Sequence, residues 1–119
     1  MEPVKKIYDL VERTTIFANR IRYYCLRLPK NAVNAEYIPQ LVRAGSSPGA
    51  NYIEANESIG DKDFKMKMRT CRRESKESSY WLTLTITDGS EVMENEKKWL
   101  KGEAGELLLI FNSMLKNKE

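Results

Sequence analysis

The stretch that decides the fold of this chain is Arg43-Ala-Gly-Ser-Ser-Pro-Gly-Ala-Asn-Tyr-Ile-Glu-Ala-Asn-Glu57, which leads into a basic segment ending at Ser79-Tyr-Trp-Leu82. Small side chains at 45–49 let another backbone approach closely, and within a helix they favour tight contact with a neighbouring helix. A phosphate-binding loop is excluded because the run lacks the lysine and the preceding strand that such a loop needs. Pro48 has no N–H and clashes with the carbonyl of Ala44, so we expect the helix to bend there.

Outside this stretch, apolar residues recur at alternating spacings of three and four, and no alternating run is long enough for a sheet. The pattern predicts helices at about 10–28, 35–59, 62–86 and 91–116. Long helices with short connections pack as antiparallel neighbours, so the fold class is all-α, an up-down-up-down antiparallel four-helix bundle forming a single domain over 1–119. Asp9 and Asn34 are the expected N-caps of the first two helices, and Pro39 is tolerated only in a first turn.

The apolar stripes predict the core. The first helix contributes Leu10, Thr14, Phe17, Ile21, Tyr24 and Leu28. The second contributes Leu41, Val42, Gly45, Gly49, Tyr52, Ile53 and Asn56. The third contributes Phe64, Met68, Cys71, Ser75, Ser78 and Leu82. The fourth contributes Met93, Leu100, Ala104, Leu107, Phe111 and Met114.

Composition limits the function classes. The 119 residues are 41% hydrophobic and 31% charged, with a formal net charge of +3, which is typical of a globular domain. No apolar run approaches the roughly 18–20 residues that span a bilayer, and the first residues lack the apolar stretch of a signal peptide. We therefore expect a cytoplasmic protein.

The chain has no histidine and two cysteines, Cys25 and Cys71. Two cysteines alone cannot complete the usual four-ligand zinc site, and both lie on apolar stripes, so buried free thiols are favoured over a disulfide. Without histidine the commonest general base near neutral pH is missing. We expect no enzyme, no cofactor and no metal site.

A basic stripe is the strongest functional pattern. Spacings of three and four place five cations on one face of the third helix: Lys62, Lys65, Arg69, Arg72 and Lys76. The first helix carries a thinner version at intervals of seven: Arg13, Arg20 and Arg27. Such a run is either a solvated face or a track for phosphates that would bind nucleic acid in a salt-dependent way. Tyr23 and Tyr80 could stack bases but are isolated in the sequence.

A second polar group spans the second and third helices: Asn51, Glu54, Glu57, Arg72, Arg73, Glu74 and Glu77. Facing carboxylates can share acid and base duties or hold a divalent ion. With so many cations interleaved, ion pairs between the two helices are the favoured interpretation, for example between Arg69 and Glu54.

Three segments carry a family resemblance: Gly49-Ala-Asn-Tyr-Ile-Glu-Ala55, Arg72-Arg-Glu-Ser-Lys-Glu77 and Trp81-Leu82. With Phe17-Ala18 and Leu28-Pro29, they resemble the four helix bundle protein family, also called the 23S rRNA intervening-sequence proteins. The resemblance covers most of the chain from about Tyr8 and implies a helical bundle without established enzymatic activity. Some relatives are encoded within intervening sequences of large-subunit rRNA genes. Others are similar to accessory proteins of diversity-generating retroelements, basic rings of five that bind nucleic acid and a reverse transcriptase.

The residues and the resemblance together predict a non-enzymatic, oligomeric, nucleic-acid-associated accessory protein that uses its basic helical face. Its partners would be RNA or DNA and a reverse transcriptase or another protein. The resemblance implies a homopentamer, and large apolar groups beyond a single seam independently favour a homo-oligomer: Val11, Ile16, Tyr23, Trp99, Leu108 and Leu115. The alternatives are a protein-interaction or scaffolding module with no nucleic-acid role, and a bundle that binds a small ligand beside Gly45–Gly49.

Overall fold

A computed structural model describes residues 9–118, which form four α-helices. They are α1 (Leu10–Arg27), α2 (Ala32–Asn56), α3 (Asp61–Leu84) and α4 (Glu91–Lys118), and no strand occurs within 9–118. Each helix packs on the next in sequence, and α4 returns to α1, while the diagonal pairs stay apart. The predicted all-α four-helix bundle is confirmed. No helix in the described part of the chain has the length and apolar character needed to cross a membrane.

The helices begin where side chains can cap them. Asp9 accepts hydrogen bonds from the backbone N–H groups of Val11 and Glu12, as the sequence predicted for α1. The predicted cap of α2 was wrong. Asn31 caps that helix by accepting from the N–H of Asn34, so α2 begins three residues earlier than expected.

Asn34 instead joins two connections of the bundle. Its fully buried amide donates to the carbonyls of Pro29 and Ile86, at 2.9 Å each, and accepts from the N–H of Ile86 at 2.9 Å. These bonds tie the α1–α2 connection to the α3–α4 connection. The Tyr24 hydroxyl, 2.7 Å from the Thr85 hydroxyl, and the Lys97 ammonium, which donates to the Thr85 carbonyl, hold the same end together.

Both prolines of α2 lie inside a continuous helix. Pro39 is the eighth residue of α2, so the expectation that it occupies the first turn was wrong. Pro48 is buried, and its carbonyl accepts a hydrogen bond from the thiol of Cys71, with 3.4 Å between sulfur and oxygen. Packing against α3 therefore stabilises α2 at a position where the local sequence disfavours a helix.

The core follows the predicted stripes on α1, α3 and α4, including buried Phe17, Met68 and Phe111. On α2 the prediction was partly right: Leu41 and Gly45 are buried and Tyr52 packs on the core, as predicted, but the rest of the buried face differs. Ala44, Pro48 and Ala55 are buried, whereas Val42 and Ile53, predicted in the core, are 42% and 49% exposed. Asn56, also predicted there, is exposed, and Leu115, predicted outside the core seam, is buried.

The small residues of α2 serve close packing on α1. A Cβ at Gly45 would lie 2.4 Å from Ile21 Cδ1, and one at Gly49 would lie 2.9 Å from Thr14 Oγ1. Because the side chains of α1 already occupy this space, no gap for a small ligand remains beside these two glycines.

Candidate nucleic-acid interface

The five predicted cations of α3 lie on the side of that helix that turns toward α4. Lys62, Arg69 and Lys76 are exposed, while Lys65 and Arg72 are half-buried. Arg72 donates a hydrogen bond of 3.0 Å to the side-chain oxygen of Asn112 on α4. This contact places the stripe along the α3–α4 groove.

Helix α4 adds further lysines to this surface. Lys101 lines the groove together with Lys76, and Lys116 follows Asn112 by one helical turn. We call the surface formed by seven cations the α3–α4 face: Lys62, Lys65, Arg69, Arg72 and Lys76 of α3, with Lys101 and Lys116 of α4.

Three carboxylates of these two helices turn to partners on α1 and α2. Between Lys62 and Lys76, Glu74 pairs with Arg43 of α2 at 3.2 Å, and Asp63 is exposed. Between Lys101 and Lys116 the acidic residues are Glu103 and Glu106, and both meet Arg13 of α1. Among the described residues, Glu74, Glu103 and Glu106 thus pair away from the α3–α4 face, while Asp61 pairs with Lys118 of α4 at the end of the face.

The arginines of α1 have a different setting. Arg13 donates two hydrogen bonds of 2.8 Å to the buried carboxylate of Glu103, which raises the pKa of Arg13. Arg20 pairs with Glu96 and lies over the ring of Trp99, 3.5 Å from its centroid. Arg27 is exposed in the last turn. Since α1 and α3 are diagonal, the structure does not bring these arginines together with the α3 stripe.

The polar group between α2 and α3 forms ion pairs, as the favoured interpretation predicted. Arg43 meets Glu74 and Glu77 at 3.2 and 3.4 Å, and Lys67 meets Glu54 at 2.9 Å. Across 9–118, no three histidine, cysteine, aspartate or glutamate side chains converge in the way a metal ion requires. Cys25 and Cys71 are buried free thiols, as the sequence predicted.

The sequence named Tyr80 as a candidate for base stacking but did not show its neighbours. Tyr80, which looked isolated, lies beside Lys76 and Lys101 in the α3–α4 groove, a depression of about 290 Å³. Tyr80 is 58% exposed. The spacing of four from Lys76 to Tyr80 was a usable signal, but Lys101 is brought there only by the fold.

The comparisons with known proteins bear on the fold. No protein-family model matches this chain, and no curated protein matches it. Among solved structures, it is similar to a protein with unknown function from the S23 ribosomal protein family of Bacteroides thetaiotaomicron. The two share 24% identity with a TM-score of 0.76, over 91% of this chain and 99% of the other. This likeness establishes the bundle fold alone, and membership of the resembled family stays a prediction.

Proposed function

We propose that this protein is a non-enzymatic accessory protein that binds the phosphate backbone of nucleic acid through the α3–α4 face. The observation that carries the proposal is the row of cations from Lys62 to Lys76, extended by Lys101 and Lys116, with Glu74 paired to Arg43 of α2 and Glu103 paired to Arg13 of α1. Fourteen helical steps from Lys62 to Lys76 span roughly 21 Å. Measured along the axis of a duplex, at about 3.4 Å per phosphate of one strand, that length corresponds to about six phosphate steps.

The chemistry of this face supports backbone binding that does not depend on base identity. Lysine and arginine neutralise phosphates and release counterions, so affinity falls steeply as salt increases. The arginines of α1 are left out of the proposed contact surface because Arg13 and Arg20 meet carboxylates of α4. The similar Bacteroides protein comes from a ribosomal protein family. Within this proposal, that name favours RNA as the nucleic acid that the present chain binds.

The test is charge reversal on the proposed face. We expect Lys62→Glu with Lys76→Glu, both at exposed residues, to abolish binding to mixed-sequence RNA or DNA at 50 mM salt, measured by fluorescence anisotropy. Wild-type affinity should fall by roughly 10³-fold or more between 50 and 200 mM salt if six or more phosphates are contacted. The melting temperature should change little, because exposed substitutions typically alter stability by about 0.5 kcal/mol or less.

The matched control is Arg22→Glu with Lys30→Glu, which alters the net charge equally at two exposed residues away from the face. This control should retain binding. Equal loss in both double variants would show that net charge alone attracts the nucleic acid. No binding by wild type at 50 mM salt would overturn the proposal.

Self-association is a second candidate function, favoured by the outward side of α2. Its exposed residues at spacings of three and four carry no charge: Ala35, Pro39, Val42, Ser46, Ala50 and Ile53. The charged residues Arg43 and Glu54 of α2 turn to α3 instead. A second copy of the chain would bury this uncharged side, and the family resemblance favours a closed ring of five.

A further inference from the structure

The α3–α4 groove combines three chemistries at the C-terminal end of α3. Tyr80 offers an exposed aromatic ring, Lys76 and Lys101 offer cations beside it, and Ser79 and Thr83 offer hydroxyls. The volume of about 290 Å³ is near the lower end of small-ligand pockets. A basic surface that only contacts solvent does not require an aromatic ring and hydroxyls beside its cations.

The ring of Tyr80 is held in place by its neighbours. Trp81 meets Tyr80 edge to face, with 5.3 Å between ring centroids, and Trp81 in turn contacts Tyr37 of α2 at 6.0 Å. An aromatic residue fixed by such contacts loses little conformational freedom when a ligand stacks on it. The Tyr80 ring is thus prepared to accept a flat partner.

The floor of the groove is open and apolar. It is formed by Ala104, Gly105 and Leu108 of α4, and a Cβ at Gly105 would meet nothing within 4 Å among the described residues. A flat, largely apolar group can enter beside Tyr80 while an anion attached to it stays near Lys76 and Lys101. A nucleotide has both parts, a base with a stacking face and a phosphate.

We propose that this groove binds an unpaired nucleotide of single-stranded nucleic acid, with its base stacked on Tyr80 and its flanking phosphates on Lys76 and Lys101. The inference rests on the proposed function and sharpens it. A paired base is stacked on both sides within its duplex, so Tyr80 cannot reach its face, whereas an unpaired base is available. The rest of the α3–α4 face contacts backbone phosphates, which single strands and duplexes share.

The test compares two probes of the same length, a mixed-sequence single-stranded oligonucleotide and a blunt duplex, by anisotropy at 50 mM salt. We expect Tyr80→Ala to weaken single-strand binding roughly tenfold, the usual effect of removing one stacking partner, and to change duplex binding less than about twofold. Tyr80→Phe should keep wild-type affinity because it keeps the ring. Tyr23→Ala, which removes a ring of similar exposure on α1, is the matched control.

A photocrosslink gives a readout that does not depend on affinity. A single-stranded oligonucleotide carrying 5-bromouracil should crosslink to the peptide that contains Tyr80 in the wild type and lose that crosslink in Tyr80→Ala. Unchanged single-strand affinity in Tyr80→Ala, or equal loss for both probes, would overturn base stacking while leaving backbone binding intact. Wild-type protein that binds neither probe would overturn both proposals.

Discussion

At the scale of single residues, Gly49 and Gly102 are helical glycines with opposite surroundings. A Cβ at Gly49 would lie 2.9 Å from Thr14 Oγ1 and 3.2 Å from Thr14 Cβ. Thr14 cannot turn away freely, because its hydroxyl donates to the carbonyl of Leu10 at 2.6 Å. A Cβ at Gly102 would meet nothing within 4 Å in the described chain. The same residue type therefore serves packing at one site and leaves a surface open at the other.

The two glycines predict stability changes of opposite sign. Gly49→Ala should destabilise the fold by about 1–3 kcal/mol, because the added methyl overpacks the α1–α2 contact. Gly102→Ala should stabilise it by about 1 kcal/mol through helix propensity alone. Urea denaturation of the two variants measures both effects. Stabilisation by Gly49→Ala would contradict the close packing of α2 on α1.

Burial also sets the pH response of three residues. It raises the pKa of Cys25 to about 11, of Cys71 to about 12 and of Tyr24 to about 12, the last partly offset by the hydrogen bond to Thr85. The folded protein keeps these protons to a higher pH than the unfolded chain does. Stability from these groups is therefore fully present below about pH 9 and is lost as pH rises toward about 12.

We expect the melting temperature to fall progressively above about pH 9. In Cys25→Ala with Cys71→Ala this alkaline loss should be shallower, although the cavities left behind lower stability near neutral pH. Thermal melts monitored by circular dichroism at several pH values provide the measurement. A wild-type melting temperature that is constant through this range would contradict the buried, protonated state of the thiols.

At the scale of helices, the contact between α1 and α4 depends on charge. Arg13 and Glu103 form a bidentate pair, with the Glu103 side chain only 9% exposed, and Arg20 joins Glu96 and Trp99 further along. Glycines bring α2 close to α1, whereas long side chains bridge α1 to α4. The seam between α1 and α4 is thus more polar than the seam between α1 and α2.

Removing one member of the pair should cost more than removing both. Arg13→Met leaves the Glu103 carboxylate buried without its partner, which we expect to destabilise the fold by up to about 3 kcal/mol. Arg13→Met combined with Glu103→Met should recover much of that loss. Arg20→Met, at a more exposed pair, should cost about 1 kcal/mol. Chemical denaturation of the wild type and these three variants tests this order. Equal losses of stability in Arg13→Met and in Arg13→Met with Glu103→Met would refute it.

Sequence periodicity predicted the helices well because three of the four stripes are continuous and apolar. It was only partly right on α2, where small residues and two prolines leave few large side chains to define a face, although Leu41 and Gly45 are buried as predicted. There Ala44 and Ala55 are buried, while the larger Val42 and Ile53 remain exposed. The capping error at Asn34 has a related cause, since a buried asparagine that bonds a distant carbonyl looks the same in sequence as a cap.

The candidate site was predictable only within one helix. Spacing alone aligned the five cations of α3. It could not show that Glu103 neutralises Arg13, or that Lys101 lies beside Tyr80, because those residues are separated by 90 positions and about 20 positions in the chain. Contacts between helices depend on rotation about each helix axis, which a stripe fixes only approximately.

At the scale of the whole molecule, the sides of the bundle differ in chemistry. The α3–α4 face is basic, the α2–α3 side is covered by ion pairs, the α4–α1 side joins carboxylates to arginines, and the outward side of α2 is uncharged. A formal net charge of only +3 conceals this separation. One side can therefore meet a polyanion while another meets a protein.

The uncharged side of α2 predicts the oligomeric state. We expect light scattering to give a multiple of the 13.8 kDa chain mass at tens of micromolar, five-fold if the ring proposed above forms. Val42→Glu with Ile53→Glu should shift the protein to a monomer, because charges placed in a contact between copies would be desolvated. Ile59→Glu with Met66→Glu, a matched change at exposed apolar residues elsewhere, should not. A monomeric wild type would contradict the prediction.

The buried amide of Asn34 makes the two ends of the bundle unequal in hydrogen bonding. At the end of the bundle where Asn34 lies, its amide joins the α1–α2 connection to Ile86 of the α3–α4 connection. Tyr24 and Lys97 add hydrogen bonds to Thr85 at the same end. At the opposite end, Ile59 is 93% exposed, and an exposed pair, Lys118 with Asp61 at 3.6 Å, joins α4 to α3. Thermal fluctuations should therefore separate the helices first at the end that contains the α2–α3 turn. Amide hydrogen exchange should be slowest at the opposite end, around Asn34 and Thr85.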